Sequence, residues 1–261
     1  MNGIILGIII VAVIGIVAGV GLSIASIVMA VPKDEKAEAL LEKLPGANCG
    51  ACGFSGCEGY AVAMAKGEAE VGLCSPGGAD CAAACGEILG VIASVETKTA
   101  VVHCMGNSDF TADKMNYDGI PSCAAAALLA GGVSSCRFGC MGLGDCVRAC
   151  QYGAIEIVNG LAVINPEKCR GCSLCVAACP KNLISFIPYR DQAIVRCANC
   201  DKGASVTKIC KVGCIGCMKC VKSCEVGAVK VTNFKATIDP SKCIACGKCV
   251  EVCPRKIIEM I

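Results

Sequence analysis

An α+β chain is predicted by three observations: an uncharged apolar run at the N-terminus, an internal repeat with an offset of 74 residues, and 27 cysteines gathered at short spacings. The expected architecture is one N-terminal transmembrane helix, a small four-cysteine module, and two tandem units that each combine a hairpin with paired groups of thiols. Tryptophan is absent and only 3% of residues are aromatic, so large rings cannot supply much of the core and bound metal would have to help hold the fold.

Ile4 to Val31 is a run of 28 residues without a charged side chain. That exceeds the roughly 20 needed to cross a bilayer. A cleaved signal peptide is the rival reading, but no basic segment precedes the run, and it is about twice the usual length of a signal h-region. Lys33, Lys36 and Lys43 follow closely while no lysine or arginine comes before. The positive-inside rule then gives a single-pass protein of the cell membrane, with its soluble part on the cytoplasmic side. Gly3 with Gly7, and Gly15 with Gly19, have the GxxxG spacing that lets a second helix approach closely.

Composition divides the chain into an anchor (1–31), a linker (32–45), a four-cysteine module (46–78), a connecting region (79–135), a first repeat unit (136–189), a connection (190–209) and a second repeat unit (210–261). Lys33 to Leu44 reads as a short amphipathic helix stopped by Pro45. Glu58 to Lys66 reads as a helix inside the module, Ala79 to Val95 and Ser122 to Ala130 as helices beyond it, and Ala100 to Cys104 as a strand. Cys81 and Cys85, four apart on one of those helices, read as small buried residues.

The repeat organises the rest. Cys146, Cys150, Cys169, Cys172, Cys175 and Cys179 recur 74 residues later as Cys220, Cys224, Cys243, Cys246, Cys249 and Cys253. Between them, Gly153 to Cys169 matches Gly227 to Cys243, with alternating apolar residues on both sides of an Asn-containing turn.

Four thiolates at C-x2-C-x2-C-x3-C hold a [4Fe-4S] cubane, and in two-cluster ferredoxins the fourth cysteine serves the other cluster. Two segments carry the full form followed by proline: Cys169, Cys172, Cys175, Cys179 and Pro180, and Cys243, Cys246, Cys249, Cys253 and Pro254. A third, Cys214, Cys217, Cys220 and Cys224, has Glu225 in place of the proline. In the first copy the counterpart of Cys217 is Leu143, so Cys136 is the natural substitute.

Crossing the fourth ligands gives four expected sets: Cys136, Cys140, Cys146 and Cys179; Cys150, Cys169, Cys172 and Cys175; Cys214, Cys217, Cys220 and Cys253; and Cys224, Cys243, Cys246 and Cys249. Cys49, Cys52, Cys57 and Cys74 form a fifth in the module. A sixth is expected from Cys104, Cys123, Cys197 and Cys210, with inert buried thiols as the alternative, and Cys200 is left over. Zinc competes for any four-thiolate site, most of all in the module, where spacing alone favours the cubane least.

No catalytic constellation accompanies these cysteines. His103 is the only histidine, beside Cys104, and reads as a packing or tuning residue. There is no P-loop and no GxGxxG after a strand, so neither a flavin nor a nucleotide is expected in this chain. The charge is uneven: 6 basic and 13 acidic residues from Pro32 to Ser135, against 18 basic and 9 acidic from Cys136 to Ile261. Without aromatic stacking platforms the basic half does not read as a nucleic-acid surface. It reads as compensation for cluster charge, with Lys219, Lys222, Lys242 and Lys248 able to steer an acidic protein.

The order of parts closely resembles the B-subunit family of the Rnf complexes, on an anchor, GANCGACGFSGC with the distant Cys74, CRFGCMGLGDCVRAC, and the paired repeats. That resemblance spans essentially the whole chain and implies tandem ferredoxin-like domains. It implies a membrane complex that oxidises soluble ferredoxin, reduces NAD and exports sodium or protons, with other membrane subunits as partners and the flavins and the NAD site on other subunits. The module would then hold the cluster nearest the membrane. An anchored polyferredoxin serving a hydrogenase or another reductase, or a cluster-bearing scaffold or sensor, are the competing expectations.

Overall fold

The computed structural model describes residues 2–28, 34–93, 95 and 97–261. Helix α1 (Asn2–Val28) forms from the apolar run. Its segment Gly7–Ile24 has a mean hydropathy of 2.7, and none of it is buried against the rest of the chain. An apolar helix that the protein itself leaves uncovered suits an apolar medium. Val31, the expected end of the span, and Lys33, the first flanking lysine, lie outside the described residues.

Helix α2 (Glu35–Lys43) starts where the Asp34 carboxylate accepts from the Lys36 N–H at 3.0 Å, and it stops before Pro45, which cannot continue a helix. It packs on α3 (Cys57–Ala65) and α4 (Gly78–Leu89) around Leu40, Tyr60, Met64 and Cys85. The expected helix from Ala79 to Val95 is corrected here. Gly90 takes a left-handed φ of 70° and closes α4 at Leu89 in the manner of a C-terminal glycine.

Strand β1 (Lys98–Val102) begins two residues before the expected Ala100. The helix expected over Ser122 to Ala130 is the shorter α5 (Cys123–Ala127), capped by the Ser122 hydroxyl and followed by positive φ at Ala130, Gly131 and Gly132. Next come α6 (Asp145–Ala149), the hairpin β2 (Ile155–Val158) and β3 (Leu161–Ile164), α7 (Leu174–Ala178) and β4 (Ile184–Pro188). The β2–β3 loop is the two-residue Asn159-Gly160 turn, both at positive φ, the geometry that matches strand twist.

The second copy repeats this with β5 (Ala193–Val195), α8 (Gly203–Ile209), α9 (Lys219–Lys222), the hairpin β6 (Val229–Thr232) and β7 (Lys235–Ile238), α10 (Lys248–Glu251) and β8 (Ile258–Met260). Beyond the hairpins, the pairings are long-range. β1 from the connecting region runs antiparallel to β4, and β5 from the connection runs antiparallel to β8. Each copy therefore has two small antiparallel sheets, with two short helices carrying its central cysteines.

Gly142 and Gly216 hold the cysteine loops against the hairpin turns. A Cβ on Gly142 would lie 2.5 Å from the Gly160 carbonyl, and one on Gly216 would lie 3.0 Å from that of Phe234. The copies are joined through His103, whose Nδ1 and Nε2 bond the Val195 carbonyl at 2.8 Å and the Ser185 hydroxyl at 2.6 Å. Burial holds the His103 pKa down, so a neutral ring serves as a packing bridge. Arg196 adds a second link, donating to the Val102 carbonyl at 2.6 Å while pairing with Glu259 at 2.8 Å.

Candidate metal centres

Four openings are each lined by four cysteines. Cys214, Cys217, Cys220 and Cys253 line one, and Cys224, Cys243, Cys246 and Cys249 line another, the crossed arrangement expected for the second copy. The copy-one arrangement differs from expectation. Cys123 joins Cys140, Cys146 and Cys179 around one opening, and Cys136 joins Cys104, Cys197 and Cys210 around the other. The expected placements of Cys123 and Cys136 are thus exchanged.

The exchange has a local cause. Asp145 accepts from the Ser122 hydroxyl at 3.0 Å and from the Ala124 N–H at 2.9 Å. That carboxylate sits at the start of α6, which carries Cys146, and it draws the start of α5, and Cys123 with it, onto the same site. Cys136 is held instead by the Asn199 amide, whose Nδ2 donates to its sulfur at 3.3 Å. Spacing puts the missing ligand among near neighbours. Only the fold brings Cys123 across.

The other two sets show themselves through the mutual influence of their thiols. Burial pushes the Cys175 thiol up to about 12, and the charges of Cys169, Cys172 and Cys150 add to it. In the module, Cys74 is pushed up to about 11 by burial, with added repulsion from Cys81, Cys57 and Cys52. Tyr60 places Cys74 there: its hydroxyl donates to the Glu70 carbonyl at 2.8 Å and accepts from the Leu73 N–H at 3.1 Å. The Asn48 side chain accepts from the Cys57 N–H at 2.8 Å and fixes the start of α3. Cys85 is 1% exposed and packs in the module core, and Cys81 lies beside Cys74.

The same push acts on several other buried thiols. Burial raises Cys104 to about 12, and Cys146, Cys197 and Cys220 to about 11. Such thiols stay protonated near neutral pH unless a cation takes the place of the protons. Among the described residues, no three His, Cys, Asp or Glu side chains gather to hold a single metal ion; the thiols ring a space instead. Four thiols set around an opening rather than drawn onto one point fit a [4Fe-4S] cubane better than one tetrahedral zinc.

Comparison with known proteins agrees. Residues 44–76 match the family described as "Putative Fe-S cluster", and residues 135–183 and 213–257 each match the 4Fe-4S dicluster domain. The chain is 40% identical to the B-subunit of the Na(+)-translocating ferredoxin:NAD(+) oxidoreductase complex of Acetobacterium woodii, over 99% of this chain and 78% of that protein. It is also 40% identical to the B-subunit of the ion-translocating oxidoreductase complex of Methanosarcina acetivorans, over 95% of this chain and 94% of that protein. The B-subunit of the proton-translocating ferredoxin:NAD(+) oxidoreductase complex of Clostridium ljungdahlii is 37% identical, over 92% and 86% respectively.

The chain belongs to the B-subunit family of ion-translocating oxidoreductase complexes. This is the Rnf family that its order of motifs resembles. In this family member the two repeat copies are unequal in exposure. Cys217 and Cys246 are exposed, whereas Cys172, the counterpart of Cys246, is buried. Gly171 explains part of that difference, since its Cα packs where an added Cβ would lie 3.2 Å from Ser75 of the module and 3.1 Å from the Lys98 carbonyl. Around Cys172 the first copy lies against the module, whereas the counterpart Cys246 of the second copy faces solvent.

Proposed function

We propose that this chain conducts electrons between a soluble acidic ferredoxin, bound at the second copy, and membrane subunits of an ion-translocating oxidoreductase, reached through the module. Six cysteine sets would each hold one [4Fe-4S] cluster: the two lined openings of the second copy, the two of the exchanged arrangement, Cys150 with Cys169, Cys172 and Cys175, and Cys49 with Cys52, Cys57 and Cys74. A bound cluster takes up and gives back one electron without bond chemistry in the protein.

What supports this reading is a series of neighbour contacts that links each set to the next. Burial raises Cys172, and Cys49 of the module is close enough to raise it further. Cys146 acts in the same way on Cys175, and α6 packs on α7. Cys140 lies close to Cys104, linking the next two sets. The Cys214 N–H donates to the Cys197 sulfur at 3.4 Å. Finally α9, which carries Cys220, packs on α10, which carries Cys249.

The ends of the series differ in what they offer a partner. At one end α1 supports a single pass through the cell membrane, and Lys36 and Lys43 behind it support a cytoplasmic placement of the soluble part. At the other, exposed Cys217 and Cys246 sit among exposed Met218 and Ile244 and the exposed Lys219, Lys222, Lys242 and Lys248. Lys248 is paired with Glu225, which leaves the other three as the freer charges. Apolar contact beside the thiols and positive charge around them suit an acidic electron carrier.

Anaerobic stopped-flow mixing with reduced acidic ferredoxin tests the reading. Reversing Lys219, Lys222 and Lys242 to Glu is expected to slow cluster reduction by about tenfold or more at low ionic strength and to flatten its dependence on salt. A wild-type rate independent of salt would remove the steering role. No reduction by ferredoxin at any salt would remove the electron-transfer reading and favour a scaffold.

A further inference from the structure

We propose that Asn199 is the positioning residue that sets the reduction potential of the cluster held by Cys104, Cys136, Cys197 and Cys210. The inference rests on those four thiols holding a cluster, as proposed above.

Asn199 is 2% exposed and polar on every edge, so its hydrogen bonds decide what it does. Its Oδ1 accepts from the Asp201 N–H at 2.7 Å, which fixes the orientation of the amide and turns Nδ2 toward sulfur. Nδ2 donates to Cys136 Sγ at 3.3 Å, and the Asn199 backbone N–H donates to Cys197 Sγ at 3.4 Å. One residue thus serves two of the four thiols. The loop is tied down from the other side as well, because Asp201 pairs at 2.6 Å with Arg137, next to Cys136.

Sulfurs elsewhere receive backbone donors, Ala100 to Cys169, Ala154 to Cys150 and Leu183 to Cys179, at 3.4 to 3.5 Å, and Cys197 and Cys136 each take a further one, from Cys214 and from Phe138. Among the described residues, Asn199 Nδ2 is the side-chain amide that donates to a cysteine sulfur. A backbone donor survives most substitutions. This one does not.

The site needs it. Cys104, Cys136 and Cys210 are each 8 to 9% exposed, and low local dielectric disfavours the extra negative charge that reduction brings. An N–H donor to sulfur stabilises the reduced form more than the oxidised form and so raises the potential. This set has the second copy on one side, through Cys214, and the first copy on the other, through Cys140, so a potential too low here would slow the passage between the two copies.

The test is an EPR-monitored redox titration of the full anaerobically purified chain and of Asn199→Ala and Asn199→Asp, with iron and acid-labile sulfide counted in each. The expected result is unchanged iron with one midpoint moved down, equivalent to roughly tenfold weaker reduction, or 59 mV for a one-electron couple. Asn199→Asp, which puts a carboxylate against sulfur, should move it at least as far as Asn199→Ala. Unchanged midpoints with unchanged iron would overturn the proposal, as would loss of the cluster from both variants, which would make Asn199 a retention residue. A Cys136→Ser chain that keeps all its iron would instead overturn the ligand set on which the inference rests.

Discussion

The double variant Cys136→Ser with Cys197→Ser is expected to lose about four irons, no more than either single variant, because both thiols line one opening and removing either would empty the same proposed [4Fe-4S] site. The pair Cys123→Ser with Cys146→Ser behaves alike, since those two share the neighbouring opening. The grouping expected from the sequence leads to the opposite result. It groups Cys136 with Cys146 and Cys123 with Cys197, so each double variant would empty two sites and lose about eight irons. Iron and sulfide per chain, measured on the four single and two double variants, separate the arrangements. Additive losses in the doubles would show that the exchange of Cys123 and Cys136 is wrong.

Cys197→Ser alone has the second large consequence. Cys197 stands where the two copies meet, with the Cys214 N–H on its sulfur on one side and Cys104, close to Cys140, sharing its opening on the other. Its loss breaks the series in the middle while leaving both copies folded around their own cores. Reduced ferredoxin should then still reduce the two C-terminal clusters at the wild-type rate. Reduction of the remaining clusters by that route should be abolished. Freeze-quench EPR, which resolves which signals appear with time, checks this, and equal reduction of all clusters in the variant would rule out a single file.

Much of this is legible from the residues because [4Fe-4S] ligation is local. The tight triplets of the second copy fall around their openings as their spacing requires, and the Asn-containing turns at Asn159 and Asn233 close the two hairpins as the alternation predicts. What escapes depends on contacts between distant segments. Nothing in the pattern of residues 98–102 announces that they pair with residues 184–188, or that β5 completes a sheet with β8. The same limit applies to the sites. Cys123 reaches its opening through Asp145, 22 positions away, and a hydrogen bond from a serine and a backbone amide to one carboxylate leaves no periodic trace in a sequence. Helix ends escape for a related reason, since one left-handed glycine at Gly90 outweighs the helical pattern running past it.

Whether the chain is a six-cluster wire is decided by the iron and acid-labile sulfide content of the intact, anaerobically purified protein, with zinc measured alongside. Six cubanes in single file predict about 24 irons with matching sulfide and no stoichiometric zinc. About 20 irons, or zinc in place of any cluster, would break the file and contradict it.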